Sequence, residues 1–370
     1  MNKLVKKLML VAAMLMLAAG PSFAADAIRI GLMCPLTGKW ASEGQDMQQI
    51  VSLLVSEVNK AGGINGKQIE LVVEDDAGDP RTASLAAQKL ASAGVMAVIG
   101  TYGSAVTEAS QNIIDEAEIM QIATGSTSVR LTEKGLPLFF RTCPRDDEQG
   151  RVASKVIAAK GFKKVAILHD NSAYAKGLAD EAKQRILDKK SADIVFFDAL
   201  VPGERDYSAI LTKIKGVKPD AILFTGYYPE AGLLLRQMQE MKWAVPIIGG
   251  DATNNTDLVK IAGDAAAGYR FISPIMPADI DTKAFLKAYE AKYHSLPSSI
   301  WSVLAGDAYN VLIAAIKAKG PDPAAIAGYL HNDLKNLDCF TGQISFDEKG
   351  DRVGDLYEVN AKGEFILQPK

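Results

Sequence analysis

The sequence predicts an α/β protein made of two similar halves, each built on a mostly parallel sheet. Three observations lead there. From residue 27 onward, short β-rich apolar runs alternate with longer amphipathic stretches, the order that βαβ units impose. The whole alternation restarts after Pro144. The chain has 370 residues, 48% hydrophobic and 23% charged, enough for two or three domains and ordinary for a folded protein. Lys plus Arg number 41 against 44 Asp plus Glu, a net charge of -3, so no excess of positive charge is available to follow a nucleic-acid backbone.

The first strand is expected at 27–33. From 43 to 60 the apolar residues Met47, Ile50, Val51, Leu54, Val55 and Val58 fall three and four apart, as on one helix face, and Ala61-Gly62-Gly63 stops the run. Strands follow at 68–74, 95–100 and 119–123, separated by helices at 81–93 and 104–116. The run 138–143, closed by Pro144, reads as a different kind of element. The second half repeats the scheme, with strands at 165–169, 194–199, 221–225 and 246–249 and helices at 175–187, 207–214 and 230–241. Helices at 281–293, 302–319 and 323–330 come next, and 342–350 reads as a hairpin around an Asp/Gly turn. No Ser/Gly-rich or Pro-rich linker separates the halves, so the connections between them are themselves ordered.

The N-terminus stands apart. Lys3, Lys6 and Lys7 precede an unbroken apolar run at 8–19, which Gly20-Pro21 breaks ahead of Ser22-Phe23-Ala24. This is the order of a secretory signal peptide, residues 1–24, with cleavage expected after Ala24. The run is too short for a bilayer and no later stretch of 18 is free of charge, so an exported, soluble chain is expected. Cys34, Cys143 and Cys339 are too few for a disulfide scaffold and read as small buried hydrophobes. His169, His294 and His331 are scattered, and Glu74-Asp75-Asp76 with Asp79 reads as a solvated strand end and turn, so neither metal nor other cofactor is expected.

Catalytic patterns are missing. GxSxG, GxxxxGK[ST] and HExxH do not occur, and the pair Gly100 and Gly103 lacks the middle glycine of a dinucleotide fingerprint. Polar turns stand in their place. Thr101-Tyr102-Gly103-Ser104 and Thr124-Gly125-Ser126-Thr127-Ser128 fall at the carboxyl edge of a parallel sheet, where open α/β sheets bind ligands. Their hydroxyls and backbone N–H groups, with the helix start at Ser104, can hold one carboxylate; read singly, Ser104 and Thr127 are equally helix caps. In the second half, Asp170 to Tyr174, Gly226-Tyr227-Tyr228 and Gly249-Gly250-Asp251 occupy the matching edge. An acid with two aromatics suits an ammonium group on an apolar body, although Tyr174 and Tyr227 taken separately read as packing residues.

One ordered set of short motifs carries a resemblance. It comprises Ile30-Gly31-Leu32 with Pro35-Leu36-Thr37-Gly38, then Asn59-Lys60-Ala61-Gly62-Gly63-Ile64-Asn65-Gly66, then Asp75-Asp76 with Asp79-Pro80. Phe140-Arg141-Thr142 with Gln149-Gly150, His169-Asp170 with Tyr174 and Gly177, and Gly226-Tyr227-Tyr228-Pro229-Glu230 complete it. From about residue 27 to the end the chain resembles the periplasmic leucine/isoleucine/valine-binding proteins of ATP-driven importers. The resemblance implies a type I periplasmic binding protein: two Rossmann-like lobes, joined by three hinge crossovers, that close on one ligand. Lobe 1 would be 26–143 plus 277–356, and lobe 2 would be 144–276 plus 357–370. It implies that Ser104 binds the ligand carboxylate, that Gly125, Ser126 and Thr127 bind carboxylate and ammonium, that Tyr174 and Tyr227 belong to the closing lobe, and that Asp251 pairs with the ammonium. Tyr102, Trp40 and Trp301 would complete an apolar wall. The implied partners are an amino acid and the membrane permease of an ABC importer, with the protein a periplasmic monomer that turns nothing over.

Two departures bear on specificity. Leucine-type members often carry a tyrosine where this chain has Glu43, which as a charged loop residue is expected to point to water. A disulfide of some relatives would join positions that are Gly78 and Gly103 here. The leading expectation is therefore a binding protein for a branched-chain or similar aliphatic amino acid. The same fold holding an amide, urea or an aromatic acid, an exported α/β enzyme, and a sensor module for a membrane receptor stand as alternatives.

Overall fold

Apolar runs too short for helices become the buried strands of two five-stranded parallel sheets. The computed structural model describes residues 27–274, 283–354 and 357–358, so the signal segment lies outside the described residues. The first sheet has the order β2-β1-β3-β4-β5, from β1 (Ile28–Cys34), β2 (Ile69–Asp75), β3 (Ala97–Ile99), β4 (Met120–Ala123) and β5 (Phe139–Arg141). The second repeats it as β7-β6-β8-β9-β10, from β6 (Lys164–His169), β7 (Asp193–Ala199), β8 (Ala221–Phe224), β9 (Ile247–Gly249) and β10 (Arg270–Phe271). The run at 138–143 is thus no separate kind of element. Phe139, Phe140 and Arg141 pair in parallel with Gln121, Ile122 and Ala123 as an ordinary fifth strand.

Helices cover both sheets. The first carries α1 (Ala41–Lys60), α2 (Pro80–Ser92), α3 (Ser104–Glu116) and the single turn α4 (Arg130–Glu133). The second carries α5 (Asp146–Lys160), α6 (Ala173–Asp188), α7 (Ser208–Gly216), α8 (Tyr228–Glu240) and α9 (Asp257–Ala262). Helix α5 had no counterpart in the sequence reading, because Gly150 interrupts its apolar period. A Cβ at Gly150 would lie 2.8 Å from Glu181 Cβ, so the glycine is what lets α5 and α6 pack closely. Its end signals are nonetheless present: Asp146, Asp147 and Glu148 in the first turn suit the helix dipole, and Gly161 ends it at φ 72°.

The chain then returns to the first sheet through α10 (Lys283–Tyr293), α11 (Ile300–Lys319) and α12 (Pro323–Asn332). Helix α11 is long and apolar enough to cross a membrane, but it is a core helix, buried along most of its length and packed on α1, α12 and the first sheet. The expected hairpin starts earlier than predicted. Its ladder is β12 (Leu337–Cys339) against β13 (Gly342–Ile344), while the Asp347 to Gly350 turn closes only the bridge between Phe346 and Arg352. Two segments that pass between the sheets meet as the antiparallel pair β11 (Ser273–Pro274) and β14 (Tyr357–Glu358). Cys34, Cys143 and Cys339 are free and buried.

A buried ion pair closes this architecture. Arg141, at the end of β5, has no exposed surface. Its Nε donates to Asp351 Oδ1 at 2.5 Å, its Nη1 to the carbonyls of Ser126 (3.0 Å) and Ser128 (2.8 Å), and its Nη2 to Thr132 Oγ1 (2.8 Å). Asp351 also accepts from Arg145 Nη1 at 2.7 Å and from the Thr132 hydroxyl at 2.9 Å. Burial alone would raise the Asp351 pKa, but the two guanidinium groups hold it below the usual carboxylate range. Arg141→Met should lower stability by about 3–5 kcal/mol, because it strips donors from two carbonyls and leaves Asp351 half-paired. Arg141→Lys should recover only part of that, since an ammonium cannot span the fork. Denaturant melts check this, and a loss below about 1 kcal/mol for Arg141→Met would contradict it.

Candidate functional site

The carboxyl edges of the two sheets face each other, and the loops leaving β3, β4, β6, β8 and β9 meet between them. Gly103 N–H donates to the Gly125 carbonyl at 2.8 Å and Gly125 N–H to the Thr101 carbonyl at 3.2 Å, so the first two loops are laced together. A Cβ on Gly125 would come within 2.4 Å of the Tyr102 ring. Ser104 opens α3 but does not cap it. Its Oγ accepts the Ser128 N–H at 3.1 Å and fixes the neighbouring loop. Ser126 turns inward, its hydroxyl 2.6 Å from Thr107 Oγ1, which is in turn 2.5 Å from Thr101 Oγ1. That hydroxyl therefore braces the loops instead of facing the cleft. The Thr127 carbonyl accepts the Asp146 N–H at 2.9 Å, and its hydroxyl acts on the Asp146 carboxyl.

Aromatic rings wall the cleft from both sides. Trp40 and Tyr102 come from the first unit, Tyr174 and Tyr227 from the second. Trp40 lies 4.2 Å from Tyr227 and 5.4 Å from Tyr102, centroid to centroid, while Tyr174 to Tyr227 is 5.2 Å and Tyr102 to Trp301 is 6.2 Å. Cβ atoms built on Gly78 and Gly103 would reach the Trp40 ring at 2.6 and 2.8 Å, and Gly103 has φ 94° besides. The indole occupies the space between these two positions. The Tyr102 hydroxyl and the indole N–H groups of Trp40 and Trp301 are buried without a partner.

Three acids define the electrostatics. Asp251 begins a 3-10 turn after β9; its Oδ1 accepts the Tyr174 hydroxyl at 2.9 Å, its Oδ2 accepts the Tyr357 hydroxyl, and its N–H donates to Gln149 Oε1 at 2.9 Å. A Cβ on Gly250 would sit 2.5 Å from the Tyr174 hydroxyl, so only glycine lets that tyrosine reach the acid. Burial pushes Asp251 up to about 6 against the pull of these bonds. Asp146 was missed by the sequence reading. It is 1% exposed, neither carboxylate oxygen has a close hydrogen-bond partner, and burial, with Asp251 adding repulsion against the help of the Thr127 hydroxyl, drives its pKa well above the usual range. The acidic first turn of α5 was the available signal.

Glu43 corrects an expectation. It lies in the first turn of α1 and points inward, fully buried, with Oε1 accepting from Asn255 Nδ2 at 2.7 Å and Oε2 from the Ser299 hydroxyl at 2.5 Å. Asn255 belongs to the second unit, so this bond crosses the cleft. Beside it, Thr256 N–H donates to the Ser298 carbonyl at 3.1 Å and the Tyr228 hydroxyl to the Lys39 carbonyl at 3.0 Å. Burial pushes Glu43 up to about 8, with Asp46 and Asp257 adding repulsion against the help of its two hydrogen bonds. Asp76 likewise is buried, not solvated, and burial pushes it up to about 7, while Asp75 serves the turn by accepting from Leu36, Thr37 and Ala77.

A cleft between two like α/β units, walled by aromatic rings and holding hydroxyls and buried acids, is the site of a ligand-binding protein. The chain belongs to the periplasmic binding protein family, whose profile matches residues 27–364. It is 37% identical over 348 residues to the Leu/Ile/Val-binding protein BraC3 of Rhizobium johnstonii, covering 93% of each chain. It is 36% identical to the leucine-, isoleucine-, valine-, threonine- and alanine-binding protein of Pseudomonas aeruginosa, over 90% of this chain and 89% of that one. Among solved structures, the branched-chain amino acid transporter substrate-binding protein LivJ of Streptococcus pneumoniae, in complex with isoleucine, superposes with a TM-score of 0.82 at 35% identity. That match covers 88% of this chain and 94% of LivJ. The fold is the type I periplasmic binding protein fold that the motifs implied.

Glu43 makes the fold pH-sensitive in a definite direction. Its pKa is about 8 when folded and near 4.5 as a free side chain, so the stability it allows is complete below about pH 4.5 and is lost as pH rises through 8. Glu43→Gln imitates the neutral carboxyl. Its melting temperature should match wild type near pH 5 and exceed it by several degrees near pH 8.5; a difference that does not change with pH would contradict this.

Proposed function

We propose that this protein binds a branched-chain or similar aliphatic α-amino acid between two closing lobes and delivers it to the membrane permease of an ABC importer. The observation that carries this reading is the meeting, in one buried cleft, of the laced hydroxyl and amide loops at 101–104 and 124–128 with an aromatic wall and buried acids. The loops and Ser104 suit a carboxylate, the acids an ammonium, and the rings an uncharged side chain. Names of relatives that bind leucine, isoleucine and valine support the same class of ligand.

In this reading lobe 1 is 26–143 plus 277–356 and lobe 2 is 144–276 plus 357–370. The protein acts as a periplasmic monomer after loss of residues 1–24. Ser104, Gly125 and Thr127 hold the carboxylate end, with Ser126 bracing the loop. Trp40, Tyr102, Tyr174 and Tyr227 enclose the side chain, and Asp251 sets the charge of the ammonium end. No bond is made or broken in the ligand.

Titration calorimetry against the amino acids tests it. Affinity should rise from alanine through valine to leucine or isoleucine by about 0.8 kcal/mol per buried methylene, with leucinamide, glutamine and lysine weaker than leucine. Asp251→Asn should cost roughly tenfold to a hundredfold, the worth of a charge-assisted hydrogen bond in a dry cleft. Tighter binding of an amide, urea or benzoate than of any amino acid would overturn the proposal. Small-angle scattering should show a smaller radius of gyration with saturating leucine.

A further inference from the structure

We infer that Glu43 is a clasp that holds the two units together in its uncharged form: closing over a ligand adds a proton from solvent to its carboxylate, so the ligand is held more weakly as pH rises. This rests on the amino-acid reading above for its ligand and deepens it by assigning a regulation of the same site. One short stretch of the first unit, 39–43, reaches across the cleft. The Lys39 carbonyl accepts the Tyr228 hydroxyl at 3.0 Å, the Ser42 hydroxyl lies 3.1 Å from the same phenol, and Glu43 Oε1 accepts from Asn255 Nδ2 at 2.7 Å. Tyr228 and Asn255 belong to the second unit, at the start of α8 and just before α9. The same stretch carries Trp40, whose ring centroid lies 4.2 Å from that of Tyr227 in the aromatic wall. Engaging the clasp and closing the wall are therefore one movement.

The surroundings of Glu43 suit a neutral carboxyl and not a charged one. It has no exposed surface, and its two partners, the Asn255 amide and the Ser299 hydroxyl, are both neutral. A carboxylate offers about four acceptor sites, of which these fill two. The groups that act on it most include no cation. The acids near it repel it: Asp46 from its own helix α1, held by the Tyr289 hydroxyl and Ser298, and Asp257 from the start of α9, paired with Lys260. Tyr102, from the loop after β3, and Tyr228 face it as phenols whose ionisation its charge opposes. Lys39 is turned elsewhere, with its ammonium 4.4 Å from the Trp40 ring centroid and attracting Glu230. Burial thus holds Glu43 at about 8 while the units are together. Opening withdraws Asn255, admits water and returns the carboxyl toward 4.5. The closed form therefore binds the extra proton between pH 4.5 and 8; the help that Glu43 gives to closure is complete below about 4.5 and is lost as pH rises through 8.

Titration calorimetry with leucine near pH 5.5, 7 and 8.5, in two buffers of different ionisation enthalpy, tests the clasp on the exported chain. Glu43→Gln keeps both contacts, accepting from Asn255 and donating to Ser299, but cannot ionise. Asp146 and Asp251 are present in both proteins, so the difference between the two isolates Glu43. From pH 5.5 to 8.5 wild type should lose about tenfold or more in leucine affinity relative to Glu43→Gln, and near pH 7 it should take up about half a proton or more in excess of the variant for each leucine bound. Asn255→Ala, which severs the bond across the cleft, should weaken leucine about fivefold near pH 5.5. Small-angle scattering of the ligand-free chain should give wild type a larger radius of gyration near pH 8.5 than near pH 5.5, and Glu43→Gln the same value at both. Equal pH dependence or equal proton uptake in wild type and Glu43→Gln, unchanged leucine binding by Asn255→Ala, or ligand-free scattering that ignores pH would each overturn the clasp. A wild-type chain that binds no amino acid would overturn the amino-acid reading instead, and the ligand-free scattering would then decide the clasp by itself.

Discussion

The buried pair of Arg141 and Asp351 is the constraint on which the cleft depends. One guanidinium at the end of an edge strand holds the carbonyls of Ser126 and Ser128, and so shapes the loop that offers Thr127 to the cleft. The same group fixes Asp351, which lies 210 residues away just before the chain passes back toward the second sheet. Loop geometry and the position of a crossover are therefore set by one charge. Arginine suits the task because its planar fork can satisfy a carboxylate, two carbonyls and a hydroxyl at once, where a point charge could not.

The cleft surface follows a related economy of shape. Gly78, Gly103, Gly125 and Gly250 each bring backbone against an aromatic ring or hydroxyl, at distances where a Cβ would collide. Trp40 takes the room between two of them, and its face meets Tyr227 from the opposite sheet. Between Gly78 and Gly103 this chain packs a large ring, which buries apolar area while remaining part of the wall.

Acids enclosed in this cleft behave unlike surface acids. Glu43, Asp146 and Asp251 are all pushed upward by burial, yet each is eased differently: Glu43 by Asn255 and Ser299, Asp251 by two tyrosines, and Asp146 by the Thr127 hydroxyl. Glu43 joins the two units directly, and its charge state bears on how firmly they hold together.

The strands, the doubling of the α/β pattern and the polar turns at the sheet edges were legible in the sequence because they rest on local chemistry. A short apolar run makes a strand, and a glycine and hydroxyl cluster after it makes a turn. That reading placed Ser104, Gly125, Thr127, Tyr174, Tyr227 and Asp251 in the loops that do face one another. It did not find α5, whose Gly150 serves a contact with α6 that no local pattern announces. It sent Glu43 to solvent, because a charged residue in a first loop usually goes there; only Asn255 and Ser299, more than 200 positions away, make its burial tolerable. It could not show that the Ser126 hydroxyl turns onto Thr107 or that Asp146 is buried beside the Thr127 loop, because which hydroxyl turns inward and which acid is buried depend on neighbours distant in the chain. Sequence alone determined the elements and the kind of site, since these follow from residue type and spacing. Tertiary structure decided which of the candidate groups remain unsatisfied, because burial and hydrogen-bond partnership are properties of the packed chain and not of any stretch of it.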